Sequence, residues 1–128
     1  MLQVEVIGPP PELPEQTVER LAAVTLASAG VTDGHLAVEF VDAERIASLN
    51  AEHRGVEGPT DVLSFPVDGD GDAVGERELG DVVICPQHTT DLREAVVHGI
   101  LHLVGMDHES DDGEMLALQA EIVSWTTL

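Results

Sequence analysis

The sequence predicts an α+β domain, with a small mixed β-sheet of about four strands and helices packed against it. Two periodicities alternate along the 128 residues: short stretches with apolar residues at every second position, and longer stretches with apolar residues three or four positions apart. Glycines and prolines separate these stretches. Because no internal repeat, low-complexity tract or linker interrupts them, we expect one domain over residues 1–128.

The first third of the chain predicts a strand, a helix and a second strand. Residues 2–7 alternate apolar and polar side chains, which is typical of a half-buried strand. Residues 14–29 carry a helical apolar pattern that Gly30 ends, and residues 35–41 alternate again. This order favours a parallel pair of strands joined by a right-handed crossover.

The middle of the chain predicts a second helix and then a polar turn. Asp42 is a suitable N-cap for a helix that runs through about Glu52, with Ile46 and Leu49 on its inner face. A polar turn is expected over residues 53–59.

Two further strands are expected after this turn. Residues 60–66 form a short strand that Pro66 confines to an edge or an end of the sheet. The acidic, glycine-rich residues 68–78 favour a mobile loop, and residues 79–85 form the next strand. Strands joined by such a loop can pair antiparallel.

Two helices complete the expected fold. Thr90 or Asp91 caps the first, and Ser110 or Asp111 starts the second. The inward side chains predicted for the last helix are Met115, Leu116, Leu118, Ile122 and Val123.

The strongest chemical signal is the stretch V-H-G-I-L-H-L-V-G-M-D-H at residues 97–108. His98 and His102 are four residues apart, so both imidazoles lie on one helix face. Gly105 permits the left-handed turn that ends the helix and lets His108 reach the same point. Three imidazole ligands leave one position for water, which is typical of catalytic zinc sites, although nickel, copper and iron also bind such nitrogens. We therefore predict one Zn²⁺ per chain, held by His98, His102 and His108 on a zincin-like metal helix.

One class of peptidase has the same histidine spacing, but this chain lacks its catalytic base. Metzincin proteases have the same three histidines and glycine, with a glutamate directly after the first histidine as the base. Gly99 occupies that position here and cannot take a proton. The sequence thus argues against a protease of that type.

Several other residues have two interpretations each. Arg54 is either an anion clamp or a solvated side chain. Asp61 and Asp81 are either turn or backbone partners, or groups that support a ligand histidine or act as a base. Asp107 is either such a supporting group or a turn residue, and Cys85 is either a fourth ligand or a buried thiol.

The composition limits the partners that we expect. The formal net charge is −20, and all five basic residues are arginines. Such a chain repels nucleic acid and anionic membranes, so a polyanionic substrate must bind a local patch built from a metal ion and a few arginines. The single cysteine, the absence of a recognisable signal peptide and the lack of an apolar run of about 20 residues predict a cytoplasmic protein without a membrane partner.

Three ordered motifs resemble those of the YbeY family of rRNA maturation endoribonucleases. They are P-T-D-V-L-S-F-P at residues 59–66, L-G-D-V-V-I at residues 79–84 and H-G-I-L-H-L-V-G-M-D-H at residues 98–108. The resemblance covers about residues 41–123. It implies a zinc-dependent, single-strand-specific endoribonuclease that processes ribosomal RNA, notably at the small-subunit RNA 3′ end, and takes part in ribosome quality control.

The resemblance also implies roles for particular residues and partners. His98, His102 and His108 would bind zinc, and Arg54 would be the functional arginine, so these four residues form the expected catalytic site. Single-stranded ribosomal RNA and the ribosome or ribosomal proteins are the expected partners. The chain departs from the family at His53 and Met106, where a tyrosine is usual, and residues 85–98 form a shorter segment than is usual.

Two other functional classes stay open at this point. One is a non-catalytic zinc-binding assembly factor whose acidic face docks on basic ribosomal proteins. The other is a metal-dependent hydrolase of a different substrate, such as a peptide or a small phosphoester. The open coordination position favours an enzyme, because structural zinc sites are normally closed by four protein ligands.

Overall fold

The computed structural model describes residues 2–67, 78–106 and 112–126. The strands are β1 (Leu2–Ile7), β2 (Gly34–Phe40), β3 (Val62–Pro66) and β4 (Glu78–Ile84), and the helices are α1 (Glu15–Ser28), α2 (Ala43–Arg54), α3 (Leu92–Leu103) and α4 (Glu114–Thr126). A single 3₁₀ turn, Pro86–His88, lies between β4 and α3. The predicted α+β fold is confirmed, with strand bounds that differ from the prediction by at most two residues.

The four strands form one mixed sheet in the order β1-β2-β4-β3. β2 pairs parallel with both β1 and β4, whereas β3 and β4 are antiparallel. Both predicted pairings are therefore confirmed. β3 is an edge strand and ends at Pro66, as expected of a residue that cannot donate a backbone hydrogen bond to a ladder.

Helices cover the two faces of the sheet unequally. On one face, Val82 and Ile84 of β4 join the main core with α1, α3 and α4. On the other face, Val83 and Cys85 pack against Ile46 of α2. Cys85 is a fully buried thiol on the face opposite α3. Of its two interpretations, the structure favours the buried thiol over the fourth metal ligand.

Helix α3 is central to the main core and lies against α1, α4, β3 and β4. Its buried side chains are Ala95, Val96, Val97, Ile100, Leu101 and Leu103. This burial fixes the rotation of the helix, because three of its sides pack against other elements. Its histidines occupy the remaining side.

The predicted end of α2 was two residues too early. The helix continues through Arg54, and Gly55 ends it in the left-handed conformation at φ 67°, with its N–H bonded to Ala51 O at 3.2 Å. The polarity of His53 and Arg54 suggested a turn, but both residues belong to the last helical turn. Arg54 is therefore held by a helix rather than by a loop.

The last helix was predicted correctly in its core face, except for one residue. Met115 and Ile122 are buried, and Leu118 and Val123 pack against the same core. The prediction for Leu116 was wrong, because this side chain is 46% exposed and lies to one side of the buried stripe. The helix begins at Glu114.

Some expectations fall on residues that the structure does not describe. They concern the mobile loop predicted for residues 68–78, of which residues 68–77 are not described. The predicted start of the last helix at Ser110 or Asp111 was wrong, because residues 112–113 are not helical and the helix begins at Glu114. Within the described ranges, no helix is long and apolar enough to cross a membrane.

Candidate metal centre and substrate cleft

Helix α3 is fixed at both ends by local hydrogen bonds. Asp91 Oδ1 accepts from the N–H groups of Arg93 (3.0 Å) and Glu94 (3.2 Å), which confirms Asp91 as the N-cap. At the other end, Gly105 has φ 96° and donates to His102 O at 3.0 Å. This positive φ is the left-handed turn that the sequence predicted, and it needs a glycine.

The two histidines of α3 lie side by side. The ring centroids of His98 and His102 are 4.7 Å apart, and the ring planes meet at 74°. Both side chains are half-buried and line the same cleft. The prediction that the i, i+4 spacing places both imidazoles side by side on one helix face is confirmed.

This cleft has a volume of about 720 Å³ and lies between α3, β3 and the end of α2. Four residues that the sequence singled out line it together: Arg54, Asp61, His98 and His102. The structure thus brings together residues from three separate parts of the chain. His108 completes the predicted catalytic site with Arg54, His98 and His102, but it lies outside the described residues, as does Asp107.

The side chains present fit a metal ion in part. Two nitrogen ligands of a tetrahedral zinc ion lie roughly 3.4 Å apart, given a Zn–N distance of about 2.0–2.1 Å. Imidazole rings with centroids 4.7 Å apart can meet that requirement. Within the described ranges, no third His, Cys, Asp or Glu joins them in a metal-binding group. A complete site therefore needs a ligand from another part of the chain.

A partly buried hydrogen-bond chain leads away from His98 and ends at Glu94, which is exposed. Its Nδ1 atom lies 2.8 Å from Gln119 Oε1, and Gln119 Nε2 donates to Glu94 Oε1 at 3.1 Å. Gln119 belongs to α4 and is only 8% exposed. We did not predict these residues from the sequence. Glu94 carried a signal, since it precedes His98 by four residues, but nothing in the pattern of α4 pointed to Gln119.

At Gly99, helix α3 lies close against the sheet. A Cβ atom here would overlap Val82 Cγ1 and lie 3.1 Å from Val62 Cγ2. Its carbonyl oxygen accepts a hydrogen bond from Ser64 Oγ on β3 at 2.8 Å. The packing leaves no room for the glutamate that metzincins carry at this position, which strengthens the argument against that class of peptidase.

Arg54 projects from the last turn of α2 as an exposed side chain at the cleft. Among the residues that the structure describes, it makes no ion pair with a carboxylate. Its neighbour His53 contacts Phe65 of β3 edge-on, with centroids 4.9 Å apart, and both line the cleft. An unpaired guanidinium at a cleft is suited to binding an anion.

Asn50 holds the loop that connects α2 to β3. It is 2% exposed, and its Nδ2 atom donates to Gly58 O at 2.9 Å. Its backbone oxygen also accepts from Val56 N–H at 3.4 Å. Sequence reasoning did not identify this residue, which fixes the distance between Arg54 and the start of β3.

The two candidate aspartates have different surroundings. Asp61 Oδ1 accepts from Val62 N–H at 2.8 Å and from Thr60 Oγ1 at 3.3 Å, so its carboxylate caps a turn at the wall of the cleft. Asp81 does not line the cleft and lies on the opposite face of β4 from Val82. The charged groups that act on it are Glu78, His35 and Glu5.

Asp81 is exposed, and partial burial of its carboxyl group is the main cause that raises its pKa above the usual value of 3.8. The charges of Glu78 and Glu5 raise this pKa further, whereas His35 lowers it. His35 Nδ1 lies 2.9 Å from Glu78 Oε2 in the same group. Asp81 therefore belongs to this group on the sheet and not to the cleft.

The fold and the cleft define a class of protein, namely a small α+β protein with two histidines on a buried helix and an arginine across the cleft. A family model described as Endoribonuclease YbeY matches residues 11–126. The chain belongs to the YbeY family.

Individual relatives agree with this assignment. The chain is 41% identical over 110 residues to the endoribonuclease YbeY of Bifidobacterium longum strain NCC 2705, covering 72% of this chain and 60% of the relative. It is 39% identical over 132 residues to that of Micrococcus luteus, covering 88% and 84%. The second alignment is longer than the 128-residue chain, so the relative contains residues that this chain lacks.

A solved structure also resembles the fold. The solution structure of TM1509 from Thermotoga maritima matches with a TM-score of 0.58 and 27% identity, over 96% of this chain and 88% of that protein. The match extends over nearly all the elements described above.

Proposed function

We propose that this protein is a metal-dependent endoribonuclease that cleaves single-stranded RNA during ribosomal RNA maturation and ribosome quality control. One observation carries the proposal: Arg54 lies in the same cleft as His98 and His102 and has no carboxylate partner among the described residues. The family name of its relatives supports RNA as the substrate.

We propose zinc as the cofactor, one ion per chain, with His98, His102 and His108 as ligands. His108 follows Met106 by two residues, and Met106 lines the cleft. Two residues span up to about 7 Å, so the chain permits this third imidazole to reach the others. When bound, zinc would act as a Lewis acid and lower the pKa of a coordinated water toward about 7.

The residues of the chain itself supply binding and orientation. Arg54 would bind a phosphate oxygen of the scissile linkage and stabilise the charge that develops on it. Helix α2 and the hydrogen bond from Asn50 to Gly58 hold this arginine at the cleft. These contacts fix the backbone position of Arg54, and its planar guanidinium loses less entropy per hydrogen bond to a phosphate than a lysine ammonium would.

The acidic composition does not prevent RNA binding at this cleft. Asp61 is the one acidic residue among the described residues that line it, in a protein with 25 acidic residues. Among these described residues, Asp61 alone opposes the positive charge of the arginine and of a divalent ion. The arginine and the ion can bind few phosphates, so we propose that the ribosome or a ribosomal protein presents the RNA, and that the protein acts in the cytoplasm.

The net charge favours one alternative, a non-catalytic assembly factor that docks on basic ribosomal proteins. An activity assay separates the two functions. Zinc-loaded protein should cleave a single-stranded RNA and leave the matching duplex intact, and chelation should abolish cleavage.

Variants sharpen this assay. His102→Ala should remove cleavage, whereas His35→Ala should retain it, because His35 lies on β2 and lines neither the cleft nor the neighbouring pocket that contains His98. Equal turnover of wild type, His102→Ala and chelated protein would rule out the proposed enzyme. Binding to ribosomal proteins without any cleavage would support the assembly factor instead.

A further inference from the structure

We propose that Glu94 and Gln119 are positioning residues that hold His98 in the Nδ1–H tautomer and leave its Nε2 atom as the metal-binding nitrogen. The inference rests on the metal centre of the proposed function. It adds two residues, one of them from α4, to the residues on which that centre depends.

Hydrogen-bond chemistry fixes the direction of the chain. The carboxylate of Glu94 can only accept, so the Gln119 amide must turn its NH₂ group toward it, at 3.1 Å. The amide oxygen then faces His98 Nδ1 at 2.8 Å and also can only accept. The hydrogen therefore belongs on Nδ1, and in the neutral ring the lone pair belongs on Nε2.

Burial makes this arrangement effective. Gln119 is 8% exposed, which limits the access of water that could replace its amide oxygen. Free histidine in water favours the opposite tautomer, with the hydrogen on Nε2. Without the amide, part of the His98 population would present an N–H group where a metal ion needs a lone pair. Partners of this kind typically contribute 10–100-fold to metal affinity, in round numbers.

A pair of substitutions at residue 119 separates positioning from packing. Gln119→Glu keeps an acceptor for His98 but buries a carboxylate beside Glu94, which should lower the thermal stability. Gln119→Leu fills the same space without an acceptor and avoids that charge. If the role is positioning, zinc affinity should fall roughly 10–100-fold in Gln119→Leu and stay near wild type in Gln119→Glu.

The two readouts should therefore rank the variants in opposite orders. Zinc affinity is measured by competition with a chelator, and stability by thermal unfolding of the metal-free protein. Glu121→Gln is the matched control on the same helix, since Glu121 is exposed, and it should change neither quantity. Equal zinc affinities in the Leu and Glu variants, or the same order in both readouts, would overturn the inference.

The tautomer itself can be observed without metal or RNA. Long-range ¹H–¹⁵N correlation spectra of the metal-free wild type should show His98 with its hydrogen on Nδ1, and Gln119→Leu should shift it toward Nε2. A wild-type His98 with its hydrogen on Nε2 would overturn the inference directly. If His98 carries its hydrogen on Nδ1 but the protein binds no zinc, the hydrogen-bond chain from Glu94 through Gln119 to His98 is supported and the proposed metal centre is ruled out.

Discussion

Ser64 Oγ donates a 2.8 Å hydrogen bond to Gly99 O and so joins the edge strand β3 to the histidine helix at a residue that lies close against the sheet. The bond lies one residue from His98. The position of the first proposed ligand therefore depends on how closely α3 packs against β3 and β4.

Gly99→Ala should destabilise the protein, although alanine is the better helix former by about 0.8–1.0 kcal/mol. The added Cβ would overlap Val82 Cγ1. Overpacking of this kind typically costs about 1–3 kcal/mol of unfolding free energy, which exceeds the gain in helix propensity. A net loss of stability therefore indicates that the overlap with Val82 is present. Urea denaturation measures it. Ser64→Ala removes the hydrogen bond, worth about 0.5–1.5 kcal/mol, and leaves the closer contact with Val82 Cγ1 in place. A Gly99→Ala variant more stable than wild type would show that α3 does not approach Val82 so closely.

Arg54→Ala should lower the rate of RNA cleavage far more than it lowers zinc content. Removal of one group that stabilises developing charge typically costs roughly 10²–10³-fold in turnover. Arg45→Ala is the matched control, because Arg45 is exposed on the same helix and does not line the cleft. Turnover and atomic absorption are measured on the same samples. Normal turnover by Arg54→Ala would remove its proposed role.

Asp81→Asn should stabilise the protein at pH 7. The pKa of Asp81 is raised in the folded state by burial and by Glu78 and Glu5, so folding favours its protonated form. Its contribution to stability is complete below the ordinary value of 3.8 and is lost as the pH rises through the folded-state pKa. The advantage of Asn over Asp should therefore shrink as the pH falls toward and below that value.

Urea midpoints at pH 7 and at about pH 3.8 test this pH dependence. Glu19→Gln on α1 controls for the removal of one negative charge from an acidic protein, since Glu19 is exposed and lies outside the group around Asp81. A stabilisation by Asp81→Asn that is the same at both pH values would contradict the assigned cause.

RNA binding should depend only weakly on salt. A cleft with one arginine and one divalent ion neutralises one or two phosphates, which predicts a slope of log K against log salt of roughly −0.7 to −1.4 for a single strand. Titration of a labelled single-stranded RNA at several salt concentrations measures the slope. A slope that corresponds to many phosphate contacts would require a basic surface outside this cleft.

Local sequence rules predicted the parts of the site that depend on near neighbours. The i, i+4 spacing of His98 and His102, the N-cap Asp91 and the left-handed turn at Gly105 all follow from a single turn of helix. Such rules need no knowledge of the rest of the fold.

Contacts between distant parts of the chain were not predictable in the same way. Gln119 reaches His98 across 21 positions, and its polar side chain is buried only because α4 packs against α3. The extent of α2 was also misjudged, since a polar last turn resembles a loop until Gly55 is seen to end the helix. Tertiary packing decided the first feature, whereas the local left-handed turn at Gly55 decided the second.

X-ray absorption at the zinc edge of the purified protein tests the central claim most directly. We expect one zinc ion per chain in four-coordinate geometry, with three imidazole nitrogens and one oxygen ligand, and we expect the ion to be lost in His98→Ala, His102→Ala and His108→Ala. Stoichiometric zinc retained in any of these three variants, or a site with sulfur or a fourth protein ligand, would contradict the proposed metal centre.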